Sequence, residues 1–341
     1  MGLNIGLVYD LRKDYLALGY SQEQVGEFDS DETLSLLEEA IRSLGHRTER
    51  IGHARALCAR LVAGDRWDLV FNIAEGLWGR AREAQAPCLL ELYGIAYTFS
   101  DPLVCAMTLD KAMAKRLVLA AGLPTPAFAV VEKLQDVEGV ALEYPLFVKP
   151  LAEGTGKGIS DRSLVASPAE LADLCGELLE RFAQPVLVEE YLPGRELTVG
   201  LLGTGRGARV LGTMEIQVRR HAGQAIYSFE KKERCAQLIS YLPLAAGALR
   251  AEAESLALAA YRALECRDAA RVDFRCDARG RPNFLEVNPL PGLHPTHSDL
   301  PMIAAQAGLS YAQLIEAIIA GALERGGVSR DRYAVARVGA V

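Results

Sequence analysis

The stretch Arg271-Val272-Asp273-Phe274, continued through Asp277 to Pro282 and then Phe284-Leu285-Glu286-Val287-Asn288-Pro289, reads as two short strands joined by a glycine-containing turn. Side chains alternate along a strand, so Arg271 and Asp273 share one face, and Glu286 and Asn288 share one face. The apolar alternates Val272, Phe274, Leu285 and Val287 are then expected to face a core. The other side gathers three oxygen ligands and a guanidinium, and hard oxygen ligands of this kind suit Mg²⁺ far better than Zn²⁺. Taken alone, the pattern fits a half-buried hairpin with a solvated polar face equally well, so the rest of the chain has to decide.

A length of 341 residues exceeds one typical core and predicts two or three domains around a shared cleft. With 50% hydrophobic and 24% charged residues the chain is globular rather than disordered. Its net charge of −7 argues against a nucleic-acid partner and leaves only a local basic patch, which suits a nucleoside triphosphate. The seven cysteines are scattered and form no Cys-x-x-Cys pair, which argues against a disulfide framework and a zinc site. Cys58, Cys88 and Cys175 are expected as small buried residues of apolar helices. The start lacks a basic n-region, and no apolar run approaches membrane-spanning length, so a soluble cytoplasmic protein with no membrane partner is expected.

Hydrophobic periodicity predicts strands over 3–9, 68–74 and 95–99 and helices over 31–44 and 84–93, an open parallel α/β domain over 1–106. No Gly-x-Gly-x-x-Gly follows the first strand, so a dinucleotide there is unsupported. A small central α+β domain over 107–192 follows, with helices over 111–121 and 168–182 and strands over 127–131, 146–149 and 185–191. The third domain, 193–341 and also α+β, begins with strands over 197–202 and 209–216, continues into a helix over 245–264, and carries the hairpin and two closing helices.

Glu153-Gly154-Thr155-Gly156-Lys157-Gly158 directly follows the strand that ends in Lys149-Pro150. Glycines let a backbone approach closely and turn successive N–H groups toward one anion, although this loop is too short for a P-loop. Lys111, Lys149 and Lys232 each stand at the boundary of an element, where fixed positive charge can serve phosphate oxygens. The strand end Glu189-Glu190-Tyr191-Leu192 can hydrogen-bond an adenine edge, and Glu196 suits ribose hydroxyls. Each has an ordinary reading as well: a glycine turn, surface lysines, a solvated acidic strand end.

Taken in order, Leu109-Asp110-Lys111, Phe147-Val148-Lys149-Pro150, the glycine loop, Glu189 to Glu196, Arg271-Val272-Asp273 and Glu286-Val287-Asn288-Pro289 resemble the ATP-grasp fold. Leu290-Pro291-Gly292, Val70-Phe71-Asn72 and Leu89-Leu90-Glu91-Leu92 resemble the D-alanine–D-alanine ligase family, and the likeness runs over nearly the whole chain. It implies a three-domain α/β ATP-grasp fold and an ADP-forming ligase. In such ligases a carboxylate attacks the γ-phosphate, and an amine then attacks the acyl phosphate to form an amide. Lys111 and Lys149 would bind the ATP phosphates, Glu153, Gly154, Thr155, Gly156 and Gly158 would close over them, and Lys232 would reach the γ-phosphate. Glu189, Glu190, Tyr191 and Leu192 would hold adenine, and Glu196 the ribose. Asp273, Glu286 and Asn288 would hold two Mg²⁺ ions, with Mn²⁺ as a substitute, while Arg271 and the Gly292 N–H would stabilise an oxyanion. Ser298 would bind the acceptor carboxylate, His294 would line its pocket, and His297 matches a family histidine. Ser298 or Asp299 is also an ordinary helix N-cap signature. The family further implies a homodimer formed through the first domain.

The chain departs from that pattern on the donor side. The family's Gly-Gly turn with its Ser and Glu is replaced by Tyr9 to Ala17, and its His-Gly by Glu75-Gly76, followed by Arg80 and Arg82. The serines of the phosphate loop become Thr155 and Lys157, and a tyrosine after the γ-phosphate lysine becomes Glu233. Glu75 is expected to meet an ammonium, and Arg80 and Arg82 either a further carboxylate or solvent. The expectation is an amino-acid or peptide ligase outside cell-wall D-alanyl-D-alanine synthesis. A D-alanine–D-alanine ligase with a variant donor pocket and a non-catalytic ATP-binding sensor stand beside it.

Overall fold

The computed structural model describes residues 2–218 and 239–326, which form three sheets. In the first, β1 (Asn4–Tyr9) pairs in parallel with β2 (Arg47–Gly52) on one side and β3 (Leu69–Ile73) on the other. Helix α1 (Arg12–Ala17) follows β1, and α2 (Asp31–Ser43) and α3 (Ala54–Val62) supply crossovers. Helix α2 begins where the Ser30 hydroxyl accepts the Thr33 N–H at 3.0 Å, and it buries Leu34, Leu37 and Ile41. The strand expected at 95–99 is reduced to a single bridge between Val70 and Tyr97, because the backbone turns into the left-handed region at Phe99. Helix α4 (Gln85–Leu92) leaves Cys88 exposed rather than buried.

Helices α5 (Pro102–Leu109) and α6 (Lys111–Ala120) lead out of this layer, capped by the carboxylates of Asp101 and Asp110. The second sheet is antiparallel with order β4-β7-β5-β6: β4 (Phe128–Val131), β5 (Leu146–Pro150), β6 (Leu164–Val165) and β7 (Val186–Glu190). Helix α7 (Pro168–Phe182) covers it, and Leu171, Leu174, Cys175 and Leu178 share a core with Val131, Val148 and Val188.

The third sheet is antiparallel with order β10-β9-β8-β11-β12: β8 (Glu196–Leu202), β9 (Arg209–Val218), β10 (Ile239–Pro243), β11 (Ala269–Cys276) and β12 (Pro282–Asn288). Helix α8 (Ala248–Ala263) packs on the face of Val199 and Leu201, while α9 (Asp299–Gln306) packs on the other. Gly200 and Gly212 permit that approach, since a Cβ at either would lie 3.0 Å from Leu300 or Ile303. Helix α10 (Tyr311–Gly326) then returns to the first sheet, where Leu314, Ile315 and Ile318 share a core with Ile5, Leu7 and Leu34. Its Arg325 pairs with buried Asp268 and donates to the Tyr97 carbonyl at 2.9 Å, and Asp268 also accepts the Phe99 N–H at 2.8 Å.

No single helix among the described residues is long and apolar enough to cross a membrane. Helices α9 and α10 pass on length and composition only as a pair bent by 111°, and their apolar residues are spent on the cores just described.

Candidate active site

The hairpin β11–β12 sets Arg271 opposite Asn288 and Asp273 opposite Glu286, so all four polar side chains meet on the cleft side. A β-bulge follows Asp273 and puts Phe274 opposite Phe284. Phe284 therefore joins Val272, Phe274 and Val287 in the core, and Leu285, expected there, lines the cleft instead. Arg271 holds Asp273 through Nε at 2.9 Å and Nη2 at 2.9 Å, and reaches Asp299 through Nη1 at 2.6 Å. Thr198 Oγ1 donates to Asp273 at 2.7 Å and Asn288 Nδ2 at 3.2 Å.

Burial alone would raise the Glu286 carboxyl, but Lys111 at 3.3 Å, with Lys149 and Arg271, holds it at about 2. Burial, with Glu286 opposite, lifts Asp273 above its ordinary value in spite of Arg271. The donor set fits a hard divalent cation: two carboxylates face each other, and Asn288, with its amide nitrogen committed to Asp273, keeps its oxygen for a metal. Among the described residues no group of three or more His, Cys, Asp or Glu side chains is placed to hold a metal, so this site depends on the amide and on ligands from outside the protein.

On the other wall of the cleft, at β5 and β7, Glu189 pairs with Lys149 at 2.9 Å and with Lys115 at 2.5 Å. Lys115 is wholly buried, and it also donates to Thr125 Oγ1 at 2.8 Å and the Phe284 carbonyl at 3.2 Å. Burial brings its ammonium down to about 8 despite Glu189. Sequence reasoning missed it; the signal was its place one turn after Lys111 on the same helix face. Glu189 thus orients two lysines rather than standing free at a base edge, and the Tyr191 N–H is taken by the Pro145 carbonyl at 3.1 Å. Glu190, Tyr191 and Leu192 nonetheless line the same cavity as Lys149, Glu196 and Leu285. Glu196 pairs with Arg275 at 3.2 Å, yet burial, with Asp273 and Glu286 nearby, pushes its carboxyl up to about 7.

The glycine loop turns through positive φ at Thr155, Gly156 and Gly158. The Thr155 hydroxyl is buried without a partner in a loop that faces the cleft, the kind of orphan that a phosphate oxygen satisfies. Lys111 Nζ donates to the Glu153 carbonyl at 2.6 Å. Lys157 turns to Glu153 and to Glu27, 3.4 Å away, and Glu27 also accepts the Gly154 N–H. Arg82 completes this latch, 2.9 Å from Glu27 and 2.8 Å from the Ala152 carbonyl. Burial alone would raise Glu27, but Arg82 and Lys157 hold it at about 2.

Beyond the loop lies a cavity of about 740 Å³, walled by Arg12, Asp29, Glu75 and Glu83 and by Gly292, His294, His297 and Ser298. Lys111, Glu153, Thr155, Arg271 and Glu286 line both this cavity and the one that holds Lys149 and Glu189. Arg80 does not belong to it: its side chain is 78% exposed and pairs at 2.6 Å with Asp110, the cap of α6. Ser298 occupies the N-cap position of α9 but does not cap it, since its hydroxyl accepts the His294 N–H at 3.0 Å. A Cβ at Gly292 would fall 2.8 Å from the Ser298 Oγ, so a larger residue there would push this hydroxyl away from its bond to the His294 N–H. The His294 and His297 rings lie 4.4 Å apart. Lys232 lies outside the described residues.

Residues 117–320 match the family model described as D-ala D-ala ligase C-terminus. The D-alanine–D-alanine ligase of Bordetella petrii is 35% identical over 319 residues, which cover 91% of this chain and 94% of that protein. The uncharacterized protein y4sG of Sinorhizobium fredii is 36% identical over 252 residues, 74% of this chain and 73% of its own length. Among solved structures, D-alanine–D-alanine ligase from Bacillus anthracis complexed with ATP has a TM-score of 0.74 at 24% identity, covering 96% of this chain and 99% of that one. VanG D-Ala:D-Ser ligase from Enterococcus faecalis has a TM-score of 0.72 at 23% identity, covering 94% and 100%. The fold is that of these ligases, and the chain belongs to the D-alanine–D-alanine ligase family of ATP-dependent carboxylate–amine ligases.

Proposed function

We propose that this ligase activates the carboxylate of an amino acid or related small acid as an acyl phosphate, and joins it to an amine as an amide or peptide bond. The reading rests above all on the continuity of the two cavities through Lys111, Thr155, Arg271 and Glu286, which brings a phosphoryl group and a carboxylate to one place. Lys111 and Lys149, the latter aligned by Glu189 and Lys115, bind phosphate oxygens, and the loop from Glu153 to Gly158 covers them. Leu192 and Glu190 take the adenine edge and Glu196 the ribose. Asp273, Glu286 and Asn288 hold two Mg²⁺ ions, which when bound neutralise charge on the phosphate oxygens, and Mn²⁺ serves in their place. Arg271 and the Gly292 N–H stabilise the oxyanion of the tetrahedral step, while Ser298, His294 and His297 border the acceptor.

The reactants differ from the D-alanine pair, because the family's His-Gly is here Glu75-Gly76 on the cavity wall. The domains are 1–106, 107–192 and 193–341, each built on one of the three sheets. A homodimer formed through the first of them is proposed from the family, and Leu18, Val62, Leu92 and Leu103 are exposed apolar residues of that domain. Incubation with ATP, Mg²⁺ and hydroxylamine across a panel of amino acids should trap a hydroxamate, and chelation by EDTA should abolish it until Mg²⁺ or Mn²⁺ is restored. Efficient D-alanyl-D-alanine formation would contradict the assignment of different reactants, and ATP turnover without any hydroxamate would contradict the acyl phosphate.

A further inference from the structure

The charges on the wall of the large cavity do not balance at one place. Glu27 is met by Arg82 and Lys157, Glu286 by Lys111, and Asp299 by Arg271, while Asp29 lies within the field of Arg12. Glu75 and Glu83 differ: among the described residues neither carboxylate has a hydrogen-bond or ion-pair partner. Glu83 is only 8% exposed, and it faces the cavity in spite of that burial. The field of Arg82 reaches both carboxylates, but its hydrogen bonds go to Glu27 and to the Ala152 carbonyl. Burial and the mutual repulsion of the pair raise both carboxyls, Glu83 to about 7 in spite of Arg82 and Lys111, so the two are short of positive charge where they face the cavity. Such a pair is satisfied by a cation that arrives with the reactant.

We propose that Glu75 and Glu83 recognise a cationic side chain, so that the carboxylic acid activated here is a basic amino acid, with an ammonium or guanidinium at the end of its side chain. This deepens the ligase reading and rests on it. An α-ammonium carries one positive charge and balances one of these carboxylates, so the second calls for a further cation, which a basic side chain supplies. A divalent metal is a poorer occupant, since the described residues offer no third carboxylate or imidazole in metal-binding position. Glu83 also lies in the fields of Lys111 and Glu286, so the wall stands near the phosphoryl-transfer end, where the acid being activated must sit.

The test compares hydroxamate formation from both enantiomers of lysine, ornithine and arginine with that from alanine, glutamate and norleucine, the last an uncharged analogue of lysine. In parallel, calorimetric binding of lysine and norleucine is measured in the presence of Mg²⁺ and a non-hydrolysable ATP analogue. At least one basic amino acid should exceed norleucine by about 100-fold in kcat/KM and in affinity, and Glu83→Gln should collapse that preference at least 10-fold, mainly through KM. Glu75→Gln, at a more exposed position, supplies the same test where Glu83→Gln does not fold. A preference for neutral or acidic side chains, or a basic preference untouched by both substitutions, overturns the proposal. Hydroxamate from none of the acids refutes the ligase reading instead, and the calorimetric preference for lysine over norleucine then still decides whether the wall binds a cation.

Discussion

Replacing Glu27 with glutamine removes one charge from the latch that ties the glycine loop to the first domain, and the structure sets the size of the effect. The Glu27 side chain is 7% exposed, and Arg82 and Lys157 bring its carboxyl from 4.5 to about 2. At about 1.36 kcal/mol per pH unit, that is on the order of 3 kcal/mol of stabilisation at neutral pH. The same figure follows from breaking a buried ion pair on one side, which costs about 3–5 kcal/mol. Glutamine keeps an acceptor for the Gly154 N–H but leaves Arg82 and Lys157, each under a tenth exposed, with a weakened partner. Because the folded carboxyl titrates below its unfolded value, the contribution is complete above pH 4.5 and is lost as the pH falls toward 2. Hydrogen exchange read by mass spectrometry should therefore show amides of residues 152–158 losing about two decades of protection in Glu27→Gln at pH 7, with KM for ATP rising in step. At the low end of the pH range, wild type and variant should converge. Unchanged protection of that loop at pH 7, together with an unchanged KM, would refute the latch.

Three further outcomes follow from other parts of the site. Arg271→Lys loses the fork on Asp273 and the reach to Asp299, and kcat should fall about 10²- to 10³-fold with KM for ATP changed far less; equal effects on both would argue against an oxyanion role. Glu196 titrates near 7 when folded, above its ordinary 4.5, so its folded state is favoured below pH 4.5 and loses that advantage as the pH rises through 7. Glu196→Gln should accordingly raise Tm at pH 8 relative to wild type and not at pH 4.5; a lower Tm at pH 8 would show that the Arg275 pair outweighs burial. Arg80→Ala should leave every KM unchanged and shift stability by less than about 1 kcal/mol in a denaturant titration, since its pair with Asp110 is open to water; a raised KM for either reactant would return Arg80 to the substrate wall.

The hairpin was legible because strand alternation has a period of two, and that period alone puts Arg271, Asp273, Glu286 and Asn288 on one side. The bulge that moves Leu285 out of the core was not, because it is a property of the pairing between two strands and leaves no mark in either. Strand β2, Arg-Thr-Glu-Arg-Ile-Gly, has no apolar alternation to announce it; Arg50 on it is held by Glu38 of α2 at 2.7 Å. Lys115 looks like any helical lysine, and only the partners brought from β7 and β12 explain its burial. Arg80 and Arg82 stand two residues apart where a loop runs into the single 3₁₀ turn Arg82–Ala84, too short for periodicity to tell inside from outside. Glu27, 55 residues away, decides that Arg82 is the buried one. Glu83, in the same segment, is hidden from sequence reasoning for the same reason.

The core that α10 shares with β1 and β3, fastened by Arg325 and Asp268, also bears on how the molecule divides its labour in evolution. Glu75, Glu83, Arg271 and Gly292, which wall the large cavity, all belong to the body built from the two ends of the chain. Residues 128–190 carry Lys149, the glycine loop and Glu189 on a separate core, and line the second cavity alone apart from the rim of the loop. On the proposed reading the nucleotide is therefore held jointly, by this segment and by Lys111, Leu192 and Glu196 outside it, while the wall that would choose the reactants lies almost wholly outside the segment. A graft of residues 128–190 from a relative should therefore alter the affinity for ATP while the choice of acid and amine stays with the host.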